Sequence, residues 1–167
     1  GDQAHQHVDQ QDDGDERGDL SYFTIFVILA VNMLLAFVLL FAMVKINSIN
    51  IRNAAKMELN NVSARIYADT FHSQREANLE SYMKDLHLSH SYQEALRADF
   101  INSLKDRIDM ENDNYTLRNI RLDFNQYDDK IEYVFYCEAQ FRIHMFGRAF
   151  PPVTQRIELT GSHHTKY

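Results

Sequence analysis

From Asp19 to Phe146 the chain contains neither glycine nor proline, because its glycines stand at positions 1, 14, 18, 147 and 161 and its prolines at 151 and 152. The usual punctuation of tight turns is therefore missing over most of the molecule, which predicts long helices with few breaks. The same distribution excludes a glycine-rich phosphate loop, and no Gly-x-Ser-x-Gly elbow occurs. Cys137 is the single cysteine, so an intramolecular disulfide framework is excluded. Basic clusters are scarce as well. The net charge is −7, which leaves no electrostatic footprint for nucleic acid.

What is present is a run of 23 residues, Tyr22 to Val44, with no charge and only Tyr22, Thr24 and Asn32 as polar side chains. At ~1.5 Å per residue it is long enough to cross the ~30 Å hydrocarbon layer as one helix. It is longer than the apolar core of a secretory signal and follows an acidic flank instead of a basic one, so it reads as a retained anchor bounded by Tyr22 and Val44. Asn32, near its middle, either hydrogen-bonds across a helix interface or is tolerated in a single span. Residues 1–19 hold seven acids against Arg17, which is −6 of the total −7. Such a tail cannot offset its ordering entropy by burial and is expected to be disordered. The expected organisation is an acidic tail at 1–19, a transmembrane helix at 20–44 and a soluble α+β domain at 45–167. Nothing after Lys45 is apolar enough for a second span, and about 120 residues suffice for one modest core.

Continued at 100° per residue, Ile51, Ala55, Leu59, Val62 and Ile66 fall on one stripe of an amphipathic helix. A second stripe of Ile46, Ile49, Met57, Ala64, Ala68 and Phe71 lies roughly opposite. The first is the candidate core. Either the protein's own fold covers both, or the second takes a neighbouring subunit and is a candidate interface. Ser73-Gln74-Arg75-Glu76 has capping-box spacing and predicts a break near His72 with a restart through Leu79, Tyr82, Met83 and Leu86. Ser91-Tyr92-Gln93-Glu94 predicts the start of a further helix through Leu96, Phe100, Leu104 and Ile108, ending at Asn112 to Asn114.

The period then falls to two. Ile120, Leu122 and Phe124 alternate with polar residues, and after a turn at Asn125 to Asp129 the odd positions from Ile131 to Met145 are apolar. Glu132, Glu138, Gln140, Arg142 and His144 occupy the other face, as in an antiparallel sheet covered on one side by helices. Gly147 permits the next turn, and a third strand is expected from Val153 to Thr160, after Pro151 and Pro152. The fold class is thus α+β: a long transmembrane helix continuing into an amphipathic helix, a further helix, then a three-stranded antiparallel sheet.

No constellation for catalysis emerges. His87 with His90, and His163 with His164, are the histidine pairs to weigh for metal, but no Cys pair or His-Glu-x-x-His accompanies them and they read as solvated. Cys137 lies on the apolar face of its strand, where a cysteine acts as a small hydrophobe. No cofactor, no small-molecule substrate and no enzymatic activity is expected.

Asp19-Leu20-Ser21-Tyr22-Phe23-Thr24-Ile25-Phe26, the helix through Ile49-Asn50-Ile51-Arg52-Asn53-Ala54-Ala55 to Ala64-Arg65-Ile66-Tyr67-Ala68, and the closing Phe146-Gly147-Arg148 and Ile157-Glu158-Leu159-Thr160 together resemble the TadE-like pseudopilins of the Tad (Flp-type) pilus. The resemblance covers about two-thirds of the chain by pattern. It implies a pilin-like fold and a minor membrane subunit that helps assemble an extracellular fibre or secretion apparatus. It further implies membrane lipid and other pilus or secretion subunits, including further copies of the chain, as partners. It places the domain outside the cytoplasmic membrane. Lys45, Arg52, Lys56 and Arg65 after the span favour the opposite orientation by the positive-inside rule. They belong, however, to a continuing helix and not to a short loop, so the extracytoplasmic orientation is the one expected. Two other readings stay open. One is the bitopic scaffold subunit of a type IV secretion or conjugation channel, favoured by a helix break after Lys45 and a four-stranded curved sheet. The other is a membrane-tethered metal-dependent sensor or enzyme, which requires His87, His90 and an acid to converge.

Overall fold

The computed structural model describes residues 13–76, 88–127, 130–145 and 147–164. The elements are helix α1 (Asp13–Glu76), helix α2 (His90–Arg107) and strands β1 (Tyr115–Gln126), β2 (Lys130–Met145) and β3 (Arg148–His164). The strands form one antiparallel sheet in the order β1-β2-β3. The class is α+β, and the chain divides into two units, Gly1–Ala42 and Met43–Tyr167.

α1 is a single helix of 64 residues. The break expected near His72 is absent, since the helix runs on to Glu76. With neither glycine nor proline to interrupt it, a helix already propagating continues past that point. The proposed restart through Leu79, Tyr82, Met83 and Leu86 lies outside the described residues. At the other end, the helix takes in residues 13–19, where the composition predicts a disordered tail.

α2 starts two residues earlier than the Ser91 box suggests. Ser89 is its N-cap, accepting from the Tyr92 backbone N–H at 3.3 Å. A tertiary contact makes that choice: the Gln126 amide, at the end of β1, holds Leu88 by both its N–H (3.1 Å) and its carbonyl (3.0 Å). The helix also ends earlier than Asn112, at Arg107, because Ile108 is extended. Asn112 instead caps the turn into β1, its Oδ1 accepting from the N–H groups of Asn114 and Tyr115 at 2.9 Å each.

All three strands are longer than their periodicity suggests. In β1, Arg118 pairs with Glu138 and Arg121 with Tyr136, so Asn119 and Ile120 oppose Cys137 alone. Asn119 occupies the left-handed region at φ 52°, where asparagine is tolerated better than other side chains. The bulge reverses parity: Tyr115 and Leu117 are buried before it, Leu122 after it. A second bulge sets Pro151 and Pro152 of β3 against Arg142, between the pairs Phe141–Val153 and Ile143–Phe150. β3 is an edge strand, so these prolines remain within it instead of preceding it.

One face of the sheet and the two helices of the Met43–Tyr167 unit enclose the core. Ile51, Ala55, Leu59, Val62 and Ile66 of α1 meet Leu96, Phe100 and Leu104 of α2 and the alternate residues Ile131 to Phe141 of β2. The rings of Phe100 and Phe135 lie 5.3 Å apart across the helix-to-sheet layer. Each large apolar side chain buried here contributes about 1.5–3 kcal/mol.

Candidate functional site

The Gly1–Ala42 unit holds the apolar run. From Tyr22 to Phe41 its large apolar side chains are exposed except for the half-buried Leu40, and the helix is long and apolar enough to span a membrane. Exposure of so many contiguous apolar groups costs nothing in lipid and a great deal in water. The Asn32 amide donates to the Ile28 carbonyl at 2.8 Å, one turn back. That N–H is thus satisfied within its own helix and does not require a partner helix. Tyr22 at one end is exposed, and Val44 at the other is half-buried against the core of the second unit.

Within the Met43–Tyr167 unit, the two stripes of α1 have different fates. The first stripe is buried throughout. Of the second, Ile46, Ile49 and Met57 are 58 %, 45 % and 52 % exposed, and Ala64 and Ala68 are exposed. The described residues of the fold do not cover this face. The sheet lies on one side of α1 and α2 beside it, so that among the described residues the remaining arc has no partner in the unit. Phe71 lies among residues whose side chains are not described.

α2 is fixed along α1 by three polar contacts in antiparallel register. Glu58 pairs with Arg107, Arg65 with Asp99 at 2.5 Å, and the Tyr92 hydroxyl donates to Asp69. As the partners on α1 rise from 58 to 69, those on α2 fall from 107 to 92. Burial beside the Asp69 carboxylate pushes the Tyr92 phenol up, with burial the larger cause. Glu58 is the most consequential member, because its side chain is 4 % exposed while Arg107 is 41 % exposed. The Asn61 amide donates to its second oxygen at 3.0 Å. Ala64 of the exposed stripe lines the groove beside this seam, together with Arg65, Asp99 and Ser103. Glu58 stands three residues after Ala55 and four before Val62, on the core stripe itself. A carboxylate at that spacing is the sequence signal that a cation must arrive from elsewhere, though not from where.

The outer face of the sheet carries a second polar cluster. The Tyr136 ring lies between two guanidinium groups, with Arg121 at 4.6 Å and Arg156 at 5.5 Å from its centroid. Its hydroxyl donates to Glu138 at 2.7 Å, and the Asn119 amide donates to the other Glu138 oxygen at 2.8 Å. These hydrogen bonds, Tyr136 first, hold the Glu138 carboxyl below the ordinary carboxylate range, with Arg156 and Arg121 adding to the effect. The same bond is the main cause that pushes the Tyr136 phenol up. Each group is thereby locked in its neutral-pH state, the phenol protonated and the carboxyl ionised. The arrangement orders the face and is not poised for proton transfer near neutral pH.

The remaining chemical candidates are dispersed. Cys137 is fully buried, and burial pushes its thiol up to about 12, with Glu138 a smaller cause. His90 is exposed on α2 beside Glu94, whereas His87 lies outside the described residues. His163 packs edge-on against Tyr67 at 5.9 Å. Its imidazole is pushed down by burial and, less, by His164. Among the described residues, no three His, Cys, Asp or Glu side chains come close enough to hold a metal ion.

The exposed apolar stripe of α1 is therefore the candidate site among the described residues. No family model matches the chain, and searches of curated proteins and of solved structures return no match.

Proposed function

We propose that this chain is a membrane-anchored structural subunit of an assembly system, of the pilin-like kind that the TadE-like resemblance implies, with its α+β domain outside the cytoplasmic membrane. The observation that carries the reading is α1. One helix bears the apolar run, enters the domain core on its first stripe, and has a second stripe that no described residue covers. A stripe of Ile46, Ile49, Met57, Ala64 and Ala68 suits the packing of a neighbouring subunit's helix, since small residues allow close approach and the larger ones fill the flanks. Continuity of the helix past Lys45 and a sheet of three strands favour this reading over a type IV secretion scaffold with a broken helix and a four-stranded curved sheet. The dispersed histidines lend no support to a tethered metal-dependent sensor or enzyme.

Orientation is tested by labelling intact cells with a membrane-impermeant thiol reagent. Single cysteines are placed at Ser162 and, separately, at Gln10, in a Cys137→Ala background. Labelling at position 162 alone is the expected result. Labelling at position 10 alone would put the domain in the cytoplasm and overturn the pilus-type reading.

A further inference from the structure

The β2–β3 hairpin presents an apolar arm that the described residues leave uncovered. From Ala149 to Val153 every side chain is apolar and every residue exposed, with Phe150 at 48 % and Val153 at 45 %. Both lie on the core face of the sheet, opposite Ile143 and Phe141, yet the helices do not cover them. Pro151 and Pro152 offer no N–H, so another chain cannot extend the ladder regularly along this edge. Strand addition by a second copy is thereby disfavoured where the apolar surface is greatest.

Register places the arm within the Met43–Tyr167 unit. His163 meets Tyr67, while Leu159 to Gly161 share a cleft with Arg52, Lys56 and Asn60 of α1. Moving back along β3 thus moves back along α1. From His163 to Phe150 is 13 residues, or about 43 Å of strand at ~3.3 Å each. Laid along the helix axis, that length equals about 29 residues at ~1.5 Å each, and any inclination of the strand shortens it. Counted back from Tyr67, it leads toward the Met43 end of the unit. Core contacts on α1 begin at that end, at Val44. The arm therefore lies toward the end of the unit that begins at Met43, the end at which Ile46 and Ile49 are also exposed.

We infer that the arm from Gly147 to Val153 rests in the headgroup layer of the bilayer, with Phe150 and Val153 against lipid and Arg148 among the phosphates. Aromatic and basic side chains have this preference at membrane interfaces. The inference rests on the membrane-anchored reading above, and its test separates the two. The chain has no tryptophan, so a single introduced indole reports without background. Phe37→Trp, Phe150→Trp, Val153→Trp and His164→Trp are each made in the full chain and reconstituted into phosphatidylcholine vesicles with and without acyl-brominated lipid. The expected result is strong quenching of Phe37→Trp, no quenching of His164→Trp, and a blue-shifted Phe150→Trp quenched at least about half as much as Phe37→Trp. Val153→Trp is expected to follow Phe150→Trp, and reports in its place if one variant fails to fold. Quenching of Phe37→Trp with none at either arm position would overturn the inference and leave the anchor standing. Blue-shifted but unquenched arm variants would overturn it in favour of a protein partner or a second copy. Absence of quenching in Phe37→Trp would overturn the anchor and the inference together.

Discussion

Gly161 shows how a single absent side chain shapes the edge of the sheet. It faces Tyr133 across β3 and β2, and a Cβ added there would lie 2.0 Å from the Tyr133 ring. The bare backbone is the seat of that ring, which is otherwise buried. Gly161→Val is expected to lower stability by about 1–3 kcal/mol in chemical denaturation, and to cost clearly less in a Tyr133→Ala background, where the obstructing ring is gone. Equal costs in both backgrounds would contradict the contact. The Glu138 cluster predicts a pH dependence of definite sign. Its folded carboxyl titrates below its ordinary 4.5, so the unfolded chain binds more protons in the window between. The stabilisation is fully present above that ordinary value and is lost as pH falls through the folded one. Glu138→Gln should flatten the loss of stability on acidification, as followed by the thermal midpoint at successive pH values. An unchanged slope would remove Glu138 from the account. His163 acts with the same sign at higher pH, its contribution complete above the ordinary 6.5 and falling below it.

At the scale of elements, the seam between α1 and α2 turns on an asymmetric pair. Removing Arg107 leaves the buried Glu58 carboxylate with only the Asn61 amide, whereas replacing Glu58 by an apolar group frees an arginine that already reaches water. Arg107→Leu is expected to cost about 3 kcal/mol, and Glu58→Leu distinctly less, in equilibrium unfolding. The reverse order would show that the pair is held by packing instead of charge. The elements themselves were largely legible in the sequence, because long stretches without glycine or proline and an unbroken alternation from Ile131 to Met145 each admit one period. What escaped had a physical reason each time. The first half of β1 was hidden because the Asn119 bulge shifts the apolar positions from odd to even. Pro151 and Pro152 read as a barrier before β3, since sequence does not tell an edge strand from a central one. Ser89 prevailed over Ser91 as the cap of α2 through Gln126, a residue far along the chain. The Glu58–Arg107 pair was illegible for the same reason: its partners are neighbours only once α2 has folded back.

At the scale of the whole molecule, the two stripes of α1 carry opposite expectations. Val62 lies in the core, so Val62→Asp places an unpaired carboxylate in it and should abolish cooperative folding of the domain. A soluble variant with a sharp thermal transition would contradict that. Ala64 and Ala68 face outward, so replacing both by glutamate should leave the thermal midpoint within a few degrees of the parent, since exposed substitutions usually change stability by no more than about 0.5 kcal/mol. The same double variant should lose association in the membrane if the stripe packs against a neighbouring subunit. The most direct test of that claim is zero-length disulfide crosslinking in native membranes. Single cysteines are placed at Ala64 and Ala68 on the stripe and, as a control, at Arg118 on the outer face of the sheet, each in the Cys137→Ala background. Rapid crosslinks from positions 64 and 68, to a second copy or to a defined partner carrying a matching cysteine, with none from 118, are the predicted result. Crosslinking that is absent at both stripe positions, or no faster there than at 118, would contradict the stripe as the subunit interface.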